Sequence, residues 1–326
     1  MKSKLYEIIE GNDILNLAEE AREALIEGML YPQDYVILVA EEKVGKTIFA
    51  QQLACNMTTG ESFLDSFDIT RPLKVWYFVT EGRVDDIKDR FIRMSKKISI
   101  NTINLTLIPT YFRFNTNEGW SSLNQIMDRF RRNMPDVVII DALYRAIKGS
   151  IKDDNTVNEF HFIIGRMMQI LGCAVILVHH MTKPQRDQAG KYISRSDKDT
   201  FGSAFLSAAV DHIFWLEKWH KDREHPKDRM LKCETQRGGK IITDVRIRLN
   251  EPEPLYFEMI EIYHDEAQRI MDLLTKNKNG LNVGDLELKL RLSKATIYRT
   301  LKILQKDNRL AKTGTKTKFY KLKYDR

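Results

Sequence analysis

The sequence has little cysteine and no long apolar run. Its 326 residues include three cysteines, Cys55, Cys173 and Cys233, and this odd, widely spaced set excludes a disulfide framework and a structural zinc pattern. The longest apolar runs, residues 36–40 and 173–178, are far shorter than the roughly 20 residues of a membrane-spanning helix. The N-terminus also lacks the apolar region of an export signal. We therefore expect a cytoplasmic protein with buried thiols and no membrane partner.

Excess positive charge is absent from most of the chain and is concentrated at its C-terminal end. The whole sequence has 52 Lys and Arg against 45 Asp and Glu. Residues 261–326 hold 16 of these basic residues against 8 acidic ones, which leaves 36 against 37 in all the residues before them. A small basic segment is typical of a domain that binds nucleic-acid phosphates. A basic face that is simply solvated is the alternative.

Apolar runs that alternate with helical patterns predict an α/β fold. The runs are continuous, as in parallel strands whose sheet is covered by helices on both faces. Strands are expected over residues 35–40, 73–80, 105–109, 137–140 and 174–178, with shorter strands near 213–216, 230–234, 241–249 and 255–260.

Three domains are predicted along the chain. Apolar residues repeat at helical spacing between Ile14 and Met29, which predicts an N-terminal helical segment over residues 1–30. The α/β core is expected over residues 31–262 and a small basic domain over residues 263–326. Within the core, residues 181–200 are polar and basic, which is typical of a surface loop.

Residues 40–47 match the P-loop pattern except at its first position, where Ala40 replaces glycine. In such a loop, backbone N–H groups wrap the phosphates, Lys46 neutralises the β and γ oxygens, and the Thr47 hydroxyl coordinates Mg²⁺. Because the motif lies between a predicted strand and a predicted helix, we predict that it binds ATP and Mg²⁺. The expected nucleotide contacts are Glu42, Lys43, Val44, Gly45, Lys46, Thr47 and Ile48.

Two carboxylates follow predicted strands of the core. Asp141 ends the apolar run 137–140 and is expected to orient Mg²⁺ through its water shell. Glu81 follows the strand next to the P-loop strand and is the candidate base that activates the attacking water. The alternatives are a helix-capping or solvated role for Asp141 and an exposed turn position for Glu81.

With these motifs, the chain resembles the RecA-like ATPases of the RepA helicase group, relatives of the DnaB replicative helicases and of RadA-type proteins. The resemblance covers about residues 20–260 and includes residues 60–64 ahead of the second strand. Residues 178–183 are similar to that group's strand ending in paired histidines with a nearby lysine. The resemblance implies a RecA-like, mostly parallel sheet flanked by helices, and His179 or His180 as a γ-phosphate sensor. A packed or capping histidine pair is the alternative.

Residues 235–239 resemble the DnaB-like strand that presents an arginine finger to a neighbouring subunit. The resemblance implies that Arg237 stabilises charge on the transferring phosphoryl group of the neighbour's ATP. Thr235 stands where the family often has a lysine. A finger acting in trans requires head-to-tail contacts, which close into rings, and the resemblance implies a hexamer. A surface-strand arginine is the alternative.

The pattern of residues 263–326 resembles a winged helix-turn-helix domain. Ser293 is the expected N-cap of a third helix whose apolar stripe, Ile297, Leu301 and Leu304, packs inward. We predict that the opposite side of this helix and the following hairpin contact DNA, with docking of a protein partner as the alternative. The predicted contacts are Lys294, Tyr298, Arg299, Lys302, Lys316 and Lys318.

A second predicted DNA contact is the basic loop after the fifth strand, which RecA-like rings aim into their central channel. Its basic residues would grip single-stranded backbone, whereas a lid over the nucleotide is the alternative. These residues are Lys183, Arg186, Lys191 and Arg195. The predicted function is an ATP-hydrolysing, hexameric DNA motor, namely a RepA-like replicative helicase of a plasmid or phage. An ATP-gated DNA-binding initiator, loader or regulator that does not unwind DNA is the alternative.

Overall fold

The apolar runs of the sequence form one large sheet in the computed structural model. The model describes residues 23–181, 204–219, 225–235, 244–263, 265–277, 280–290, 297–298, 300–301, 304–305, 310–313 and 319–322. The strands of the large sheet are β1 (Tyr35–Ala40), β2 (Val75–Val79), β3 (Leu105–Pro109), β4 (Val137–Asp141), β5 (Ala174–His180), β6 (His212–Lys218), β7 (Asp228–Thr235), β8 (Asp244–Asn250) and β9 (Tyr256–Tyr263).

The sheet has the order β3-β2-β4-β5-β1-β6-β7-β8-β9. Strands β1 to β6 pair in parallel, and β7 runs antiparallel to β6. The sheet is therefore mostly parallel, as the apolar runs predict. β1 lies between β5 and β6. Because parallel strands share a direction, the residues after β1, β2, β4 and β5 meet at one edge of the sheet.

Helices connect the parallel strands. They are α1 (Lys46–Thr59), α2 (Val84–Met94), α3 (Asn117–Arg129), α4 (Leu143–Ala146), α5 (Asp154–Leu171) and α6 (Ala204–Ala208). The Asp153 side chain caps α5 by accepting a hydrogen bond from the Thr156 amide at 2.9 Å. The same helix ends at Gly172, whose φ of 68° is in the left-handed region.

Apolar side chains fill the space between the sheet and these helices. Strands β1, β2 and β4 are buried along their whole length, which explains their continuous apolar composition. Trp76, Phe78, Phe114 and Phe160 are among the fully buried large residues of this core. Each such side chain contributes about 1.5 to 3 kcal/mol relative to leaving it exposed, so the strands that carry the site are rigidly held.

The predicted N-terminal helix does not reach residue 30. Ile26 instead forms isolated bridges with Leu30 and with Ile69, and a turn at Gly28, with φ of 67°, reverses the chain. These contacts bury Leu25 against the core, so tertiary packing outweighs the helical spacing of the apolar residues. The predicted helical positions between Ile14 and residue 21 lie outside the described residues, as does most of the predicted loop 181–200.

Two strands differ in length from the sequence prediction. β2 begins at Val75 because the Lys74 amide donates to the Asp136 side chain at 2.8 Å, outside the strand ladder. β5 continues beyond Val178 to His180. The predicted histidine pair is therefore part of a strand, where neighbouring side chains point to opposite faces of the sheet.

Residues 243–245 and 261–326 form a second compact unit, separate from the unit that holds the rest of the described chain. Its elements are α7 (Asp265–Lys276), α8 (Val283–Leu290), helical residues between 297 and 305, and an antiparallel hairpin of β10 (Leu310–Thr313) and β11 (Phe319–Leu322). Ile297, Leu301 and Leu304 are buried in its own apolar core, whereas 57% of Tyr298 is exposed. No helix in the described part of either unit is long and apolar enough to span a bilayer.

Candidate nucleotide-binding site

The loop between β1 and α1 makes a tight turn directly before the helix. Lys43 has a φ of 61° and Gly45 a φ of 108°, and α1 begins at the next residue, Lys46. A Cβ atom on Gly45 would lie 2.9 Å from the Phe257 ring. Glycine is therefore required here by conformation and by space. Ala40, at the first position of the motif, ends β1 in a buried strand, so that position does not need glycine.

The Lys46 side chain lies under this loop and is 4% exposed. Its Nζ donates hydrogen bonds to the carbonyl oxygens of Ala40 at 3.0 Å and of Glu41 at 2.7 Å. Burial lowers the pKa of Lys46 to about 8, although the nearby carboxylates of Asp141 and Glu42 favour the charged form. At neutral pH the ammonium group is therefore mostly protonated and is held against the loop that would receive phosphates.

Asp141 ends β4 next to the start of α1 and is 7% exposed. The Tyr77 hydroxyl donates to Asp141 Oδ2 at 2.7 Å, and the Thr47 hydroxyl makes a second hydrogen bond to this side chain. Burial raises the pKa of Asp141, and both hydrogen bonds oppose that rise. The two predicted metal residues, Thr47 and Asp141, are thus in direct contact.

Oxygen ligands of this kind suit Mg²⁺. Among the described residues, no group of three or more His, Cys, Asp and Glu side chains could hold a metal ion. A Mg²⁺ ion at Thr47 and Asp141 would therefore depend on phosphate oxygens and water for its remaining ligands, which is how Mg²⁺ is commonly bound beside nucleotides.

Glu81 and His180 meet at the same edge of the sheet. His180 Nε2 lies 3.7 Å from Glu81 Oε2, and their side chains are 35% and 45% exposed. Tyr144 contacts both, through a hydrogen bond with Glu81 and an edge-on ring contact with His180 at 5.7 Å between centroids. Burial and the charge of Lys46 lower the pKa of His180, so its ring is mostly neutral at pH 7. Glu81 is thus an accessible carboxylate beside a neutral imidazole.

The two histidines of β5 lie in different environments. His180 is paired with Ala40, the first residue of the P-loop motif, and lies beside Glu81. His179 is paired with Val39, is 1% exposed and, as the preceding strand residue, points to the opposite face of the sheet. The structure therefore brings His180, and not His179, to the candidate site.

Several predicted site residues cannot be placed in this geometry. Tyr298 is exposed in the C-terminal unit. The predicted arginine finger and the other predicted DNA contacts lie outside the described residues, namely Arg237, Lys183, Arg186, Lys191, Arg195, Lys294, Arg299, Lys302, Lys316 and Lys318.

Two tyrosines of the site were not anticipated from the sequence. Tyr77 lies inside a buried strand, and its hydroxyl reaches the Asp141 carboxylate. A buried tyrosine needs a partner for its hydroxyl, so a tyrosine inside an apolar strand next to the strand of Asp141 is a usable signal. Tyr144 lies in α4, three residues after Asp141, and nothing in the local pattern distinguishes it from a surface aromatic residue.

Comparison with known proteins agrees with this geometry. The model of the AAA domain family AAA_25 matches residues 9–186, more than half of the chain. The chain belongs to the AAA domain family. With Lys46 and Thr47 of the P-loop in place, it is a P-loop ATPase. No curated protein matches the chain.

Two solved structures share the fold of this AAA domain protein. A separately solved ATPase domain is 18% identical, with 77% of this chain and 96% of that chain covered and a TM-score of 0.53. A DnaB-like replicative helicase, described with its interactions with primase, is 17% identical, with 78% and 69% covered and a TM-score of 0.52. At these identities the likeness shows the fold, and it confirms the RecA-like α/β architecture of the core.

The hydroxyl of Tyr77 offers a direct test of the metal site. Because its hydrogen bond favours the ionised form of Asp141, the substitution Tyr77→Phe should raise the pKa of Asp141 further. The carboxylate must be charged to hold Mg²⁺, so activity rises with pH through this pKa. We expect the acid limb of the pH–rate profile to move to higher pH. The Mg²⁺ concentration for half-maximal ATPase rate should rise about tenfold.

Tyr35→Phe is the matched control for this substitution. Its hydroxyl is also hydrogen-bonded, to His161 Nδ1 at 2.8 Å, but lies at the opposite end of β1 from the P-loop. The control should keep the wild-type pH profile and Mg²⁺ requirement. If Tyr77→Phe shows the same two curves as wild type, Asp141 does not bind the ion in the way described.

Proposed function

We propose that this ATPase is a ring-forming DNA motor, namely a RepA-like replicative helicase. The observation that supports this most is the meeting of three groups at one edge of a RecA-like sheet. These groups are the buried Lys46, the Thr47–Asp141 pair and the exposed Glu81 beside His180. The name of one protein that shares the fold, a DnaB-like replicative helicase, points in the same direction.

The proposed reaction is hydrolysis of ATP within one subunit. Lys46 and the backbone of residues 42–48 bind the phosphates, and Thr47 and Asp141 hold the metal. A bound Mg²⁺ would bridge the β and γ oxygens and neutralise developing charge. Glu81 is the base that orients the attacking water. His180, next to Glu81 and close enough to Lys46 to be affected by its charge, would sense whether the γ-phosphate is present.

The proposed ring links this site to its neighbours. Arg237 follows the last residue of β7, Thr235, by two positions, and we propose that it reaches the ATP of the adjacent subunit as a finger. The basic loop that begins at Lys183 follows His180 by three positions. A change at His180 on hydrolysis would therefore be passed directly to a loop that grips single-stranded DNA in the central channel of a hexamer.

We propose that residues 263–326 form a winged-helix domain that binds DNA. The unit has its own apolar core and an antiparallel hairpin. Leu281 also exchanges two backbone hydrogen bonds with Tyr320 of that hairpin, at 3.0 and 2.9 Å, as expected for a third short strand. The excess of basic residues after residue 260 supports a phosphate-binding role.

The same basic unit also supports a second function, an ATP-gated DNA-binding protein that does not unwind DNA. The two functions are separated by strand displacement on a forked duplex, measured with ATP, with a non-hydrolysable ATP analogue and with the Lys46→Ala variant. A helicase displaces the strand with ATP alone. Duplex binding that depends on nucleotide, without displacement under any condition, would reject the motor and leave the gated binding protein.

A further inference from the structure

The P-loop is held from behind by an arginine that lies far away in the sequence. Arg229, in β7, is 6% exposed, and its Nε donates a hydrogen bond to the Val44 carbonyl oxygen at 2.9 Å. Its Nη1 donates to the carbonyl oxygens of Pro226 and Asp228, each at 2.8 Å. The guanidinium is thus fixed by its own strand and reaches out to one peptide of the P-loop.

That peptide joins Val44 to Gly45, so the arginine controls the direction of the Gly45 N–H. The peptide is planar and trans, because the cis bonds among the described residues lie elsewhere. In a trans peptide the C=O and the N–H point in opposite directions. A carbonyl of Val44 turned toward Arg229 therefore turns the Gly45 N–H away from Arg229. Gly45 is the residue directly before α1, where backbone N–H groups bind phosphate.

A second contact restricts rotation of the same peptide. The Phe257 ring lies against Gly45, 2.9 Å from where a Cβ would be. Phe257 is itself fixed to α1, since its N–H donates to Gln52 Oε1 at 2.5 Å and its carbonyl accepts from Gln52 Nε2 at 2.8 Å. With Arg229 bonded to one side and Phe257 packed on the other, the peptide has one orientation.

The neighbouring acidic residue does not neutralise Arg229. Asp228 is fully buried, and its carboxylate accepts hydrogen bonds from Arg246 Nε at 2.7 Å and from Arg248 Nε at 2.6 Å. Those two arginines already balance its charge. The described contacts of the Arg229 guanidinium are instead to carbonyl oxygens, including that of Val44, and a cation at a peptide carbonyl polarises the peptide and makes its N–H a stronger donor.

We propose that Arg229 is a positioning residue for the nucleotide site, which turns the Gly45 N–H toward the phosphates and strengthens it as a donor. The inference rests on the proposed binding of ATP at the P-loop and is independent of DNA. It predicts an effect on binding and not on the chemical step, because Arg229 acts through one backbone donor of the phosphate cradle. ADP and ATP should be affected alike.

The test compares nucleotide binding by the full-length wild type, Arg229→Met, Arg229→Lys and Arg248→Met, without DNA. Arg248→Met is the matched control because it removes hydrogen bonds to the same buried Asp228, at 2.6 and 3.2 Å, from the neighbouring strand β8. Calorimetry gives the Kd for ADP and for a non-hydrolysable ATP analogue. Thermal unfolding without nucleotide reports any loss of stability in each variant.

Arg229→Met is expected to weaken both nucleotides about tenfold, with kcat at saturating ATP within about twofold of wild type. Arg229→Lys, which keeps the charge, should recover part of the affinity, and Arg248→Met should bind as wild type does. Wild-type affinity in Arg229→Met, or an equal loss in Arg248→Met, would overturn the positioning role. A wild type that binds neither nucleotide would reject the proposed nucleotide site itself, which is a separate result.

Discussion

Replacing Lys46 with alanine is expected to lower kcat/KM for ATP at least about a hundredfold. The ammonium group is nearly fully buried and is held by two carbonyl oxygens of the P-loop. It is the one lysine that the structure places beneath this loop in the described part of the chain, and no neighbouring side chain can replace its charge at the phosphates. The measurement is the steady-state rate of phosphate release as a function of ATP concentration.

Lys88→Ala is the control for this variant. Lys88 is an exposed lysine of α2, so its removal changes the net charge equally but leaves the site intact. Its kinetic constants should equal those of wild type. A Lys46→Ala variant with more than about a tenth of the wild-type kcat/KM would contradict the assignment of the phosphates to this loop.

Glu81→Gln is expected to lower kcat by about 10² to 10⁴-fold while the Kd for ATP stays within about threefold of wild type. The amide keeps the size of the side chain and its contact with His180 but cannot accept a proton from water. Glu81 does not contact Lys46 or the loop carbonyls directly in the described structure, so binding should survive. The measurements are single-turnover hydrolysis and binding of a fluorescent ATP analogue.

Glu118→Gln, at an exposed glutamate in the first turn of α3, is the control for the loss of one carboxylate. It should hydrolyse ATP at the wild-type rate. If Glu81→Gln retains wild-type kcat, the base lies elsewhere. If it loses kcat and nucleotide binding together, Glu81 supports the shape of the site and does not act on the water.

The central architecture was predictable because its signals are local. Continuous apolar runs mark buried parallel strands, and β3 has the bounds that its run predicts. The P-loop is recognised from eight consecutive residues, and its position between β1 and α1 follows from the same stretch. Asp141 and Glu81 were found because each directly follows such a run, and the parallel direction of β2 and β4 brings both to one edge.

The remaining parts of the site depend on contacts between distant residues. Arg229 and Val44 are 185 positions apart, and Gln52 and Phe257 are 205 apart. No periodicity or motif links such pairs. The choice between the two histidines needed the end of β5, because one more strand residue exchanges the faces to which they point. The short segment at Ile26 was mispredicted for a similar reason, since its pairing with Ile69 is not local.

The central claim is that ATP hydrolysis at this P-loop is coupled to DNA. The most direct measurement is the steady-state ATPase rate of the full-length protein with and without single-stranded DNA, with the mass of the oligomer followed by light scattering. The account predicts a rate that single-stranded DNA raises several-fold, from a species with the mass of a hexamer, and that Lys46→Ala abolishes. A rate that is the same with and without single-stranded DNA, from a monomer, would contradict it.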